Sequence, residues 1–349
     1  MVDHVQAGRD RHAAAGLHVV FGSGGSRAIL GGAGAILAFH VAGLNEWQTV
    51  GGISGGSIPA ALLADSRHPR EVLHLATETE FNSLLNPYTT WLRRIIAFMF
   101  KYRHERNLPR RGVFSGEPLR MFMDKQLPHW PDKFWTFAVS RTRKVLFTAD
   151  GVITYDGARK DAVLATSAAS VGTAVCATCA VPGIIDAVPF GDQYLWDGAM
   201  GDDGACPVDM AKRHFGAPPG TIIAFDVGEE EIKKSRLLRF IWNLACGGKC
   251  NNIDAKHPKA SDGAILIEPR IVGFHALKFR LGPDLKWGAV IAGFVATVDR
   301  LSQAGILKGP ALAKAEGFMR ELKLIEASSK KYGELTARTE RFLTEHGLF

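Results

Sequence analysis

The chain alternates short apolar runs with longer stretches in which apolar residues recur every three or four positions. Leu17–Phe21 (LHVVF) is a short run that ends in glycines, and Ile29–Leu44 then carries apolar residues at helical spacing. This predicts a strand, a glycine loop and a helix. Thr49–Ile53, followed by Ser54 and the alanine-rich Ala60–Ala64, repeats the arrangement. Phe134–Ser140, Lys144–Ala149 and Thr221–Val227 are further strand candidates by their β-branched and aromatic content. Alternating strands and helices predict an α/β fold with a largely parallel central sheet. Beyond Gly309 the pattern turns helical, with Leu312, Ala315, Phe318, Leu322 and Ile325 on one face. The expected organisation is a loose tail over 1–16, a main domain over 17–310, and a helical C-terminal appendage over 311–349 packed on the same domain.

Composition narrows this picture little. A chain of 349 residues, 46% of them hydrophobic, can bury a full core. The net charge of +7, from 42 basic against 35 acidic residues, favours anionic surroundings such as lipid headgroups or nucleic acid without choosing between them. Met1–Gly16 is polar and holds no apolar core of a secretory signal, so a cytoplasmic protein is expected. Ala28–Leu44 and Ala162–Ile185 are long and uncharged. The first is short for a span and carries four glycines and a histidine, and the second is rich in Ser and Thr, so neither is expected to cross a membrane. Five cysteines without a signal argue against a disulfide framework. Cys176 with Cys179 and Cys246 with Cys250 imitate a four-thiolate zinc site. Their uneven spacing and apolar or glycine-rich settings suit buried thiols better, and no metal is expected.

The chemistry gathers around glycines. Gly52-Ile53-Ser54-Gly55-Gly56 satisfies G-x-S-x-G at a strand-to-helix boundary, where a sharp turn would expose the Ser54 hydroxyl and the small neighbours would let strand and helix close up. A glycine-rich turn with a capping serine is the plainer reading of the same residues. Earlier, Gly22-Ser23-Gly24-Gly25-Ser26-Arg27-Ala28 sits between a strand and a helix, where backbone amides can converge on an anion. It could hold a developing oxyanion or a nucleotide phosphate. The nucleotide reading is weaker, because Arg27 stands where G-x-G-x-x-G requires its third glycine and no G-K-[ST] follows. An activated serine also needs a base. Of the twelve histidines none sits in a recognisable signature; His40 and His214 read as helix-face residues. Five Asp-Gly pairs compete as carboxylate partners, at Asp150, Asp156, Asp197, Asp203 and Asp262, although most such pairs are turns.

Three segments in order, SGGSRA at Ser23–Ala28, GISGG at Gly52–Gly56 and DGA at Asp197–Ala199, resemble the patatin-like phospholipases, as does the approach AVPGIIDAVPF to YLWDGA. The resemblance runs from about Leu17 to Val208. It implies a three-layer α/β fold over the 17–310 catalytic domain, with Ser54 as an elbow nucleophile among Gly52, Gly55 and Gly56 and with Asp197 as its base. It further implies oxyanion donors at Gly24, Gly25 and Ser26, Arg27 as the loop's basic residue, and neither cofactor nor metal. The expected activity is hydrolysis of fatty acyl esters of phospholipids through an acyl-enzyme, with no nucleic-acid partner. The chain departs from the family pattern at Ser23 and Ala28, where glycines are usual, and in a longer loop after Asp197. A catalytically impaired lipid-binding protein on the same fold is therefore the rival reading. Trp91–Arg103 and Lys233–Trp242 mix basic, aromatic and aliphatic residues at helical spacing, which suits either peripheral contact with an anionic membrane or core packing with solvated charges.

Overall fold

The computed structural model describes residues 16–87, 110–141, 143–156, 159–164, 169–201, 203–228, 257–258, 262–332 and 334–349. Its first strand, β1 (His18–Phe21), is followed by α1 (Gly25–Val41), β2 (Thr49–Gly52), α2 (Ser57–Ala64), α3 (Pro69–Glu78) and the short pair β3 (Asn86–Pro87) and β4 (Phe114–Ser115). Then come α4 (Glu117–Gln126), β5 (Phe134–Val139), β6 (Lys144–Thr148), β7 (Gly151–Asp156), β8 (Arg159–Leu164), α5 (Val171–Thr178) and a hairpin of β9 (Val188–Phe190) with β10 (Gln193–Leu195). The chain continues through α6 (Val208–Phe215), β11 (Ile222–Phe225), β12 (Ala264–Ile267), α7 (Pro283–Gln303), α8 (Gly309–Tyr332) and α9 (Leu335–Glu345).

Eight strands form one sheet in the order β12-β11-β1-β2-β5-β6-β7-β8. From β12 to β5 every neighbouring pair is parallel, whereas β5 to β8 is an antiparallel meander. The period-two geometry of β1 sends Val19 and Phe21 into one apolar cluster and Val20 into another on the opposite face. The first cluster is built with α1, α2, α3 and α7, and the second with α6, so helices cover both faces of a mainly parallel sheet. Strands β1, β5 and β11 accordingly read as apolar runs.

The glycines that interrupt Ala28–Leu44 have a packing role. A methyl group on Gly34 would lie 2.0 Å from the Val290 carbonyl oxygen, and one on Gly293 would lie 2.1 Å from that of Gly31. Helices α1 and α7 therefore cross with their backbones in contact. Phe318, Leu322 and Leu343 from α8 and α9 join the cluster that holds α1. Among the described residues no helix is long and apolar enough to cross a membrane. Cys176 and Cys179 are buried free thiols at the end of α5. Cys246, Cys250 and the segments 91–103 and 233–242 lie outside the described residues.

Candidate active site

At the end of β2 the backbone is extended at Ile53 (φ −129°, ψ 152°) and then reverses into the left-handed region at Ser54, with φ +50°. For a serine that conformation costs about 1–2 kcal/mol, so the surroundings must hold it. They do so on three sides. The Ser54 amide donates to Thr178 Oγ1 at 3.1 Å, and the Ser57 hydroxyl donates to the Ser54 carbonyl at 2.6 Å. On the third side the elbow presses on the earlier glycine loop: a methyl on Gly55 would lie 2.3 Å from the Gly25 carbonyl oxygen, and one on Gly56 would lie 2.2 Å from that of Gly22. Only glycine fits at either position. Pro59 falls in the first turn of α2, where its missing N–H leaves no gap in the helix.

Asp197 arrives from the opposite direction. The β9–β10 hairpin leads to Trp196, which exchanges backbone hydrogen bonds of 3.0 and 2.8 Å with Val139 at the end of β5. The Asp197 amide then donates to the Ala180 carbonyl at 3.0 Å, fixing the turn. Its carboxylate accepts the Ala199 amide at 2.9 Å, lies beside the Ser54 side chain, and is 3% exposed. Burial pushes its pKa from the ordinary 3.8 up to about 7, and the Ala199 amide and the neighbouring Ser54 side chain only partly oppose that shift. A carboxylate of that basicity is far better matched to taking a proton near neutral pH than a solvated one.

Residues 22–25 form the third part. The Gly22 and Ser23 amides donate hydrogen bonds to the Phe225 and Ala205 carbonyls at 2.8 and 2.6 Å. Gly24 and Gly25 have φ of +146° and +54°, and among the described residues their amides have no protein acceptor. The loop ends as the Gly24 carbonyl accepts the Arg27 amide at 3.1 Å and α1 begins, so the positive end of the helix backs the two amides. Ser26 departs from expectation. Its amide donates to the Ala276 carbonyl at 3.1 Å and its hydroxyl to that of Lys278 at 3.0 Å, so it anchors the loop and has no amide to offer an oxyanion. Arg27 is likewise turned inward, 4% exposed, and donates to the carbonyls of Ile271 at 3.2 Å and Gly228 at 3.4 Å. It braces the loop from behind.

The two departures from the glycine pattern fit without strain. Ala28 sits in the first turn of α1 with its methyl buried, and neither Ser23 nor Ala28 has a positive φ. The other Asp-Gly pairs lie elsewhere: Asp150 and Asp156 are exposed, Asp262 precedes β12, and Asp203 is buried in ion pairs with Lys144 (2.6 Å) and Arg213. Histidines bond away from the site, His18 to Thr49 and His214 to Tyr155, while His40 packs against the His68 ring. Sequence reasoning missed Thr178 and Ser57, which carry no motif of their own. Between α1, α2, α3 and α4 lies an apolar recess lined by Ile29, Ile58, Leu62, Phe81 and Phe122. Ile29 stands one helical turn beyond Gly25, and Ile58 one turn beyond Ser54.

The family model for patatin-like phospholipases matches residues 19–212. The chain belongs to the patatin-like phospholipase family. Membership implies a lipid acyl hydrolase, and the matched stretch takes in the glycine loop, the Ser54 elbow and Asp197. Strands β11 and β12 and helices α7 to α9 complete this patatin-like protein beyond the matched stretch. No curated protein matches the chain.

Proposed function

We propose that this protein hydrolyses fatty acyl esters of phospholipids with Ser54 as nucleophile and Asp197 as its only base. The observation that carries the reading is the juxtaposition of the Ser54 side chain, held at a left-handed elbow, with a buried carboxyl group of raised pKa. Ser54 Oγ attacks the ester carbonyl carbon while its proton passes to Asp197. The negative charge on the carbonyl oxygen is taken up by the Gly24 and Gly25 amides. Collapse breaks the ester C–O bond, and the departing alcohol takes the proton back from Asp197. A water molecule then gives its proton to Asp197 and attacks the acyl-enzyme, and the fatty acid leaves as Ser54 is reprotonated. The apolar recess beside α1 and α2 presents the kind of lining an acyl chain would contact. Contact with an anionic bilayer through segment 91–103 belongs to the same proposal, on its basic and aromatic composition.

The rival, lipid binding without turnover, rests on Ser23, Ala28 and the longer loop. The backbone accommodates both residues at ordinary angles, which favours turnover. A fluorophosphonate probe, with the modified peptide identified by mass spectrometry, tests the assignment. Ser54 should be labelled, and Ser54→Ala should lose both labelling and phospholipid hydrolysis while keeping its circular dichroism spectrum. Hydrolysis persisting in a folded Ser54→Ala protein would overturn the proposal.

A further inference from the structure

Both halves of the site hang on one run of three residues at the C-terminal end of α5. The fully buried Thr178 accepts the Ser54 amide on Oγ1 at 3.1 Å, and Ala180 accepts the Asp197 amide on its carbonyl at 3.0 Å. Between them, the buried Cys179 thiol lies 4.0 Å from the Ser57 hydroxyl, which itself holds the Ser54 carbonyl. The Asp197–Gly198 turn also closes on Thr178. A methyl on Gly198 would sit 3.0 Å from Thr178 Oγ1 and 2.4 Å from the Phe137 carbonyl oxygen. Ser54 lies beyond the last residue of β2, so its N–H has no ladder partner, and a buried N–H without an acceptor is strongly disfavoured. The threonine hydroxyl supplies that acceptor at the one residue whose orientation decides where the Ser54 hydroxyl points.

We propose that Thr178 is a positioning residue for acyl transfer: its hydroxyl fixes the Ser54 backbone and so aims the Ser54 hydroxyl at Asp197. The proposal rests on the Ser54–Asp197 reading. Its chemistry separates it from a packing role, because valine keeps the shape of threonine without the hydroxyl, whereas serine keeps the hydroxyl without the methyl. Positioning predicts that Thr178→Ser stays within about threefold of wild type and that Thr178→Val loses about ten- to a hundredfold in kcat, with KM for a short soluble ester unchanged, the range expected for misplacing a reacting group. Packing predicts the opposite order.

Fluorophosphonate labelling rates and ester kinetics on the wild type and both variants decide it, with thermal melts to confirm folding. Slow labelling in Thr178→Val restored in Thr178→Ser supports the proposal. Wild-type rates in a folded Thr178→Val protein overturn it while leaving the dyad intact, and absence of Ser54 labelling in the wild type overturns the dyad and the proposal together. Should Thr178→Val fail to fold, Thr178→Ser alone decides: near wild-type kcat supports the role, and a loss beyond tenfold ends it.

Discussion

Replacing Asp197 by Asn should make the protein more stable while disabling it, and the gain should depend on pH. Burial raises the carboxyl from 3.8 to about 7. At about 1.4 kcal/mol per unit, holding Asp197 ionised in the folded state costs about 4 kcal/mol. The sign follows from which state binds the proton. Below about pH 3 the carboxyl is protonated in both folded and unfolded chains and carries no ionisation penalty. As pH rises from 4 to 7 the unfolded chain ionises first, so stability is lost, and above 7 the whole penalty is present. Asparagine is neutral at every pH, keeps an oxygen for the Ala199 amide and presents its NH2 to Ser54. Its advantage should therefore be about 4 kcal/mol at pH 8 and about 2 kcal/mol at pH 5, vanishing below about pH 3. Thermal melts of both proteins across pH 5–8 read this out as a widening gap of several degrees. An Asn variant that melts below wild type at pH 8, or a gap that does not change with pH, would refute a desolvated carboxylate at this position.

The same carboxyl should shape catalysis: kcat/KM for a soluble ester should fall about tenfold per pH unit below 7, and a plateau reaching down to pH 5 would rule out Asp197 as the titrating base. Ser54→Gly should abolish hydrolysis yet raise stability by up to about 1 kcal/mol, since glycine tolerates φ +50° freely; a loss of stability in urea titration would contradict the strained elbow. Gly34→Val should prevent folding or cost at least about 3 kcal/mol, because its side chain meets the Val290 carbonyl, and a protein melting normally would disprove the close crossing of α1 and α7. Neutralising Arg93, Arg94, Lys101 and Arg103 together should weaken sedimentation with anionic vesicles by about 1 kcal/mol per charge at low salt and leave soluble-ester hydrolysis unchanged; unaltered binding would exclude segment 91–103 as the membrane contact.

Much of the site was legible because its parts depend on backbone geometry, and backbone geometry leaves marks in sequence. An elbow pressed on a glycine loop admits no side chain at Gly55 or Gly56, and a loop offering two amides needs positive φ at Gly24 and Gly25, so both segments had to be spelled in glycine. Strands β1, β2, β5 and β11 were visible as apolar runs because both faces of the parallel region are covered. Strands β7 and β8 were not, since a meander of polar-tipped hairpins reads as a string of turns. The partners of Ser26 and Arg27 were out of reach for another reason. Ala276, Lys278, Ile271 and Gly228 lie some 200 to 250 positions away and act through their carbonyls, which carry no residue signature. Thr178 was hidden in a stretch whose lack of charge drew attention to membranes instead.

The position of β1 between β2 and β11 has a consequence for where this protein can be cut. The recognisable family stretch stops at residue 212, ten residues before the strand that completes the pairing of β1. A fragment ending there would leave β1 at an open edge, with a row of unpaired amides and carbonyls running straight into the glycine loop. It would also strip α7 from the glycine seam of α1 and leave an apolar groove facing water. The smallest piece expected to fold is thus larger than the stretch the family model matches, and the glycine loop owes part of its shape to residues beyond that stretch, such as Ala276, Lys278 and Ile271.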